Sequence, residues 1–399
     1  MKISTAFLFA FPFIMGAVYA GPLEFTTPLT VTSVDKDRFI HLNSGGRRLI
    51  ATSDNTVAVV WEDNRSGLPA IYISYLLPDY RQFTPAQIIS GKIAAYEPVI
   101  IGLKGRRFLV GWEESDRVWS RVMSPGKDNT KSMPMTEMSS RHINMAAMPD
   151  GNTAAVWITT KGKDYTIQYS SLEIKGQLIT QTKPVPVDKS KDRKAQLYPV
   201  VELTKRGSVV VWEDRRQGAT RIFAAFAPQH KSFEPYQLVN EFTPSPKTAL
   251  GKGTGAMRAA LTSDKNKTVT VAWMDKRNWR SGYDVFADTS TDGGKTFNKD
   301  EIVQDTFGEN VPQWHASITM NNKDNIIAVA WDDTRNDNPD IFYSLRVNNQ
   351  WSEDYELPGA AKPGAQTHPS IVFDDKGMLH AIWLDKASER KRLMYTRSK

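Results

Sequence analysis

One tryptophan-centred phrase, written seven times along the chain, constrains the fold more than any other feature. Residues 59–67 read VVWEDNRSG and residues 210–218 read VVWEDRRQG. The phrase returns in worn form as VGWEESDR (110–117), AVWITTKG (155–162), VAWMDKRN (271–278), VAWDDTRN (329–336) and AIWLDKAS (381–388). Its tryptophans are Trp61, Trp112, Trp157, Trp212, Trp273, Trp331 and Trp383, at successive spacings of 51, 45, 55, 61, 58 and 52. A period near 50, rich in β-branched and aromatic residues and lacking helical periodicity, indicates radially repeated β-sheets rather than a helical solenoid.

Four strands fit within each period. In the fifth they are MRAALTS (257–263), KTVTVAWMD (267–275), YDVFADTS (283–290) and DEIVQD (300–305), separated by short turn-rich pieces. Third strands recur as AIYIS (70–74), RIFAA (221–225), DIFYS (340–344) and RLMYT (392–396), whose alternation places a row of aromatics between sheets. The seventh repeat ends after its third strand, whereas TPLTVTSVD (27–35) reads as an outer strand without a sheet of its own. The expected fold is therefore all-β: a seven-bladed β-propeller of four-stranded antiparallel blades, with the N-terminal strand closing the last blade.

Residues 1–20 carry Lys2, an apolar run and small residues before Gly21, the layout of a cleavable signal peptide, so residues 21–399 form the expected propeller domain. No later segment is apolar enough to span a membrane. The chain has no cysteine, which excludes disulfides, thiol nucleophiles and thiolate metal sites. Export without disulfides suits a bacterial periplasm or exterior. The formal charge of +7 favours acidic partners such as uronate- or sialate-bearing glycans, but the basic residues are scattered, and nucleic acid is not expected.

Between the third and fourth strands of the fifth repeat lies STDGGKTF (290–297), in which Ser290, Asp292, Gly294 and Phe297 match S-x-D-x-G-x-x-[WF]. With the blade pattern, this turn resembles the Asp-box (BNR) repeats of the sialidase-like β-propellers. Worn versions end in Phe83, Phe233 and Trp351. Physically the box is a turn: the aspartate accepts backbone N–H bonds, glycines supply positive φ and the aromatic packs on the blade.

Antiparallel connectivity puts the Asp box and the turns between strands one and two on one face. The ends of the WED phrases and the starts of the inner strands lie on the other, around the central channel. About 15 residues before each repeat tryptophan, that second face carries Arg47, Glu97, His142, Tyr198, Arg258, His315 and His368. This ring varies from blade to blade where the repeat otherwise holds, and its members titrate or hydrogen-bond, so Glu97, His142, Tyr198, Arg258, His315 and His368 are the candidate catalytic residues. The pairs Asp63/Arg65, Asp214/Arg216, Asp275/Arg277 and Asp333/Arg335 recur too regularly for one catalytic site and are read as turn-ordering ion pairs. Trp279 and Trp314, outside the repeat, join Arg277, Arg280 and His315 as a candidate platform for an anionic sugar.

The resemblance implies, for an active sialidase, an arginine triad, a tyrosine nucleophile paired with glutamate and an acid-base aspartate. Tyr198 with Glu97, and Arg47 or Arg258, are the types available, but the family's Phe/Tyr-Arg-Ile-Pro stretch is missing; DRFIH (37–41) does not match it. A polysaccharide lyase would need a His or Tyr base and an Arg or His on the uronate carboxylate, types the ring also offers. No H-x-H or H-x-x-x-H spacing signals a metal site, and no cofactor is called for. The sequence thus favours a glycan- or acidic-ligand-binding propeller, with a carbohydrate-active enzyme second and a protein-interaction scaffold third.

Overall fold

The computed structural model describes residues 21–35, 37–43, 46–127, 131–162, 164–241, 255–277, 282–297, 299–305, 311–387 and 389–399. Seven antiparallel sheets follow one another around an axis as the blades of a β-propeller, with no helix among the described residues. In the fifth blade the strands run Gly255–Ser263, Val269–Lys276, Asp284–Ser290 and Glu301–Ile302 from the axis outward. Blade 1 departs from this plan. Its inner strand is broken into Ile40–His41 and Ile50–Ser53, both pairing with Thr56–Asp63.

The repeated phrase is the second strand of each blade, and its tryptophan is the centre of the packing. All seven indoles are fully buried, at 0–1% exposure. Directly across the ladder from Trp61, Trp212, Trp273 and Trp331 stand the third-strand aromatics Tyr72, Phe223, Phe286 and Phe342. Ring pairs at 5.8 Å (Trp61–Tyr72) and 6.1 Å (Trp212–Phe223) are near-parallel stacks. Strand alternation carries these residues into the layers between blades, where the hydrophobic clusters join neighbouring sheets.

Closure follows the route expected. The strand Leu29–Val34 lies antiparallel against Lys391–Arg397 as the outer strand of blade 7, from Leu29↔Tyr395 to Val34↔Lys391. The seam continues past the strand, since Thr26 donates its N–H to the Arg397 carbonyl at 2.9 Å and Phe25 bridges Ser398. The strand Leu29–Val34 covers the edge of Lys391–Arg397 and becomes the outer strand of the blade 7 sheet.

The Asp box folds as a turn. Asp292 accepts the N–H groups of Lys295 (3.0 Å) and Thr296 (2.9 Å), and Ser290 Oγ accepts that of Gly294 (2.9 Å). Gly294 sits at φ +92°, and a Cβ there would meet the Val209 side chain of blade 4 at 2.8 Å. Phe297 packs into the layer between blades 4 and 5, so the box fastens one blade to the one before it. The worn boxes fasten blades in the same way, with Phe83 packed edge-on to Tyr395 and Phe233 to Tyr169, each ring pair at 5.2 Å.

Two outcomes test this architecture. Deleting residues 21–34 removes the closing strand and should cause aggregation or a large drop in melting temperature; an unchanged melt would overturn the closure. Trp212→Ala should cost about 3–5 kcal/mol in urea unfolding as a large-to-small change in a fully packed layer, and a loss below about 1 kcal/mol would mean the indole is not core.

Candidate functional site

Six of the seven ring residues share one unusual backbone state. In blades 2 to 7 the inner strand is bulged near its start, the ladder skipping between Tyr96 and Val99, Arg141 and Asn144, Leu197 and Val200, Met257 and Ala260, Trp314 and Ser317, and Thr367 and Ser370. In those gaps stand Glu97, His142, Tyr198, Arg258, His315 and His368, all left-handed with φ between +50° and +58°. Side chains of this size avoid that region, at a cost on the order of 1–3 kcal/mol each, and persist there only when their surroundings leave no alternative. A bulge also turns the side chain out of the sheet's alternation. Arg47 holds the matching place in blade 1, two residues before the partner of Val60, and there Gly46 takes the positive φ (+74°).

The constraint comes from the residue following each repeat tryptophan. Glu62 accepts the N–H of Glu97 (3.3 Å), Glu113 that of His142 (2.7 Å), Glu213 that of Arg258 (2.7 Å) and Asp332 that of His368 (3.0 Å). In blade 5, Met274 sulfur receives the N–H of His315 at 3.2 Å. Where blade 3 has Ile158, the Tyr198 N–H turns to His142 Nδ1 at 3.3 Å. Blades 1 to 6 thus each hold the ring residue of the next by its backbone. This use of the WE pair is not apparent from spacing alone, although a carboxylate after the tryptophan in blades 1, 2, 4 and 6 is its signal.

Around the mouth the side chains gather into three groups. Arg47, buried, pairs with Glu97 and lies 3.5 Å from Glu113. His142, Tyr198 and Arg258 form a stack, with rings 4.3 Å apart at 14° and the Arg258 guanidinium 3.5 Å above the tyrosine ring. His315 and His368 lie face to face at 3.6 Å, with His41 edge-on to His368 at 6.1 Å. Tyr198 and Glu97, the residue types a sialidase nucleophile pair would need, therefore belong to different groups.

Electrostatics follow from burial. His142 is driven down to about 2 by desolvation and the nearby Arg47, Arg258 and Arg141, so it is neutral and its Nδ1 is free to accept the Tyr198 N–H. His368 falls to about 2 through burial and the neighbouring His315, His41 and Lys386. Burial raises Glu62 to about 7, helped by Glu97 and Glu113, and pushes Glu213 up as well. Arg258 has no carboxylate within ion-pair distance among the described residues.

The other expected platform residues divide. Trp314 packs at the rim against Tyr283, ring centres 4.7 Å apart, beside His315 at 6.3 Å. Arg277 is occupied: it bonds Asp275 and Asp300, each at 2.7 Å, and lies 3.6 Å over the Phe286 ring. Trp279 and Arg280 lie outside the described residues. The same clamp recurs in Arg65–Asp63, Arg216–Asp214 and Arg335–Asp333, with a second carboxylate from Asp188 for Arg216 and Asp354 for Arg335. These arginines tie the turn after strand two to an outer strand or its flank, in the same blade for Arg277 and Arg335 and in the preceding blade for Arg65 and Arg216.

Below the ring, the start of blade 1 crosses the axis. Gly46 reaches across to blades 4 and 5, where a Cβ would meet the Ala259 carbonyl and Val200 at 2.6 Å, and its own carbonyl accepts from Asn144 Nδ2 at 3.1 Å. Arg48 continues into an ion pair with buried Glu202, which Lys265 also contacts. Beyond lies a cavity of about 390 Å³ opening toward the Asp-box face, lined by Thr52, Gly102, Met148, Glu202 and Ser263 among others. None of the ring residues lines that hollow.

No protein-family model and no curated protein matches the chain. Among solved structures, an α-L-arabinofuranosidase of Fusarium graminearum in complex with an iminosugar inhibitor aligns over 94% of this chain and 98% of its own, at 10% identity and TM-score 0.53. A puromycin-hydrolyzing peptidase of Mycobacterium tuberculosis aligns over 94% of this chain and 55% of its own, at 9% identity and TM-score 0.50. The NanB sialidase of Streptococcus pneumoniae aligns over 94% and 70%, at 9% identity and TM-score 0.48. The first two show a likeness of fold alone, and a fold does not by itself select an activity.

The Glu62 environment carries a pH signature. Folding raises this carboxyl from the ordinary glutamate value near 4.3 to about 7. Between those values the folded chain holds a proton that the unfolded chain has released, so this group's contribution falls as pH rises. Glu62→Gln keeps a carbonyl for the Glu97 N–H, and its stability relative to wild type should grow between about pH 5 and about pH 8. Parallel urea-unfolding profiles for the two proteins would overturn the assignment.

Proposed function

We propose that the protein binds an acidic glycan at the channel mouth, on the face opposite the Asp box. The observation carrying this reading is the His142–Tyr198–Arg258 stack: a guanidinium in no ion pair among the described residues, held over an aromatic ring beside a neutral imidazole. A guanidinium supplies the fork that a uronate or sialate carboxylate fits. Tyr198 and the Trp314–Tyr283 pair at the rim supply flat apolar surfaces for sugar rings. An arabinofuranosidase of the same fold, captured with an iminosugar, supports sugar as the ligand class. We further propose that the chain acts after export, with maturation near Gly21.

A second reading has its own support. Glu62, poised near pH 7 beside Glu97 and Glu113, has the proton affinity that a general acid or base needs. Under this reading the ring is the active site of a carbohydrate-active enzyme, with Arg258 holding the substrate carboxylate.

Calorimetric titration with uronate- and sialate-containing oligosaccharides tests both. Binding should weaken in high salt, and Arg258→Ala should lower affinity about 10–100-fold, the loss of a charge-assisted contact. Full affinity in Arg258→Ala would place the ligand elsewhere, and no acidic glycan binding would leave a protein partner as the better reading. Chromatography of the same mixtures after long incubation separates the two: intact oligosaccharide supports a binder, shortened or unsaturated products an enzyme.

A further inference from the structure

Blades 6 and 7 are the one place where consecutive ring positions are both histidine, and a third imidazole, His41 of blade 1, stands beside them. Half of the chain's six histidines thus meet on one side of the mouth. Nothing in the spacing of 41, 315 and 368 announces this, because propeller closure brings them together.

We propose that His315, His368 and Asp332 bind a first-row divalent transition-metal ion, zinc above all. One donor atom from each lies within 4.8 Å of the others, close enough for a single ion to reach all three with small side-chain adjustments. His315 Nδ1 and Asp332 Oδ1 are 2.6 Å apart, and a metal takes the place of the proton they share. Among the described residues, His368 Nδ1 is buried without a hydrogen-bond partner, and a cation can satisfy it. Two imidazoles and one carboxylate are the donor set of zinc rather than of calcium or magnesium, which take oxygen ligands.

The supports are in place before any ion arrives. Asp332 is buried and fixed by accepting the His368 N–H at 3.0 Å, so one carboxylate braces the backbone of one histidine and the ring of the other. The left-handed backbone at 315 and 368 keeps both rings over the mouth. His41, whose ring centre is 6.1 Å from that of His368, is the nearest further imidazole, and a sugar hydroxyl or water completes an open coordination position. The site is separate from the His142–Tyr198–Arg258 stack, so it stands whether or not that stack binds a glycan.

The full mature chain, treated with chelator and dialysed, is titrated with Zn²⁺, Co²⁺ and Ca²⁺ by calorimetry, with visible absorption recorded for Co²⁺. One equivalent of Zn²⁺ should bind, Co²⁺ should develop d–d bands, and Ca²⁺ should do neither. His315→Ala and His368→Ala should weaken Zn²⁺ binding by more than the roughly 10–100-fold that loss of a supporting partner costs, whereas His230→Ala, in the turn after the third strand of blade 4 where the ring bonds Ser208, should bind as wild type. Melting curves in chelator establish that each variant folds; should either alanine variant fail, His368→Gln, which keeps the bulk of the ring, takes its place. Absence of Co²⁺ bands in the wild type, or Zn²⁺ affinity unchanged in both ring variants, overturns the proposal.

Discussion

The structure depends on one buried indole per blade and on the two residues that follow it. A β-strand sends successive side chains to opposite faces, so the tryptophan and the residue two beyond it share a face while the residue between them points the other way. On the shared face the indole N–H of four blades meets a carboxylate, as in Trp61 with Asp63 (3.1 Å) and Trp112 with Glu114 (2.9 Å). That carboxylate in turn holds the arginine that caps the third-strand aromatic, Arg65 over Tyr72 and Arg335 over Phe342. On the opposite face the intervening Glu or Asp reaches the next blade and fixes its ring residue. Three adjacent letters, WED, therefore build the layer within a blade and the joint between blades.

The architecture was legible because its causes are local and repeated. Blade count, strand order and the pairing of residues 29–34 with 391–397 all follow from a phrase whose period and alternation survive in every copy. The Asp–Arg clamp was legible for the same reason. The site was legible only as a set of positions. Spacing from the tryptophan found the seven ring residues, but not that Arg47 would be taken by Glu97, or that His41, in an extra strand of blade 1, would join His315 and His368. Such neighbours are set by closure of the ring, which brings residues more than 300 positions apart into contact. Arg277 shows the opposite difficulty: its type suited a ligand, yet it stands in the repeat's own clamp, and Asp300, its second partner, lies in a blade edge with no distinctive pattern.

Blade 1 breaks the symmetry most. Its inner strand is interrupted, and the segment through Gly46 and Arg48 crosses the axis to blades 4 and 5 instead of running along it. Only glycine fits at 46, because any Cβ would collide with Ala259 and Val200. Burying Glu202 requires partners for its charge, and Arg48 and Lys265 provide them, holding its carboxyl below the usual range against the opposing effect of burial. The crossing divides the axial space into two unlike ends, a shallow ring rich in nitrogen donors and a deeper cavity floored by an ion cluster.

What keeps the ring variable while the rest of the repeat is uniform is the way it is held. The carboxylate of the preceding blade grips a backbone N–H and makes no demand on the side chain that follows. Glutamate, histidine and arginine can therefore occupy the left-handed position in blades 2, 3, 5 and 7 with closely similar φ. The strain is borne by the frame, in blades whose buried indoles already fix both neighbours, so changing a ring side chain alters the chemistry of the mouth without altering the fold. Tyr198 tests the rule: its blade lacks the carboxylate, and its N–H is held instead by the ring of His142, which is itself a member of the mouth. At that one joint frame and site are the same atoms, and there a change of side chain at 142 also releases the backbone of its neighbour.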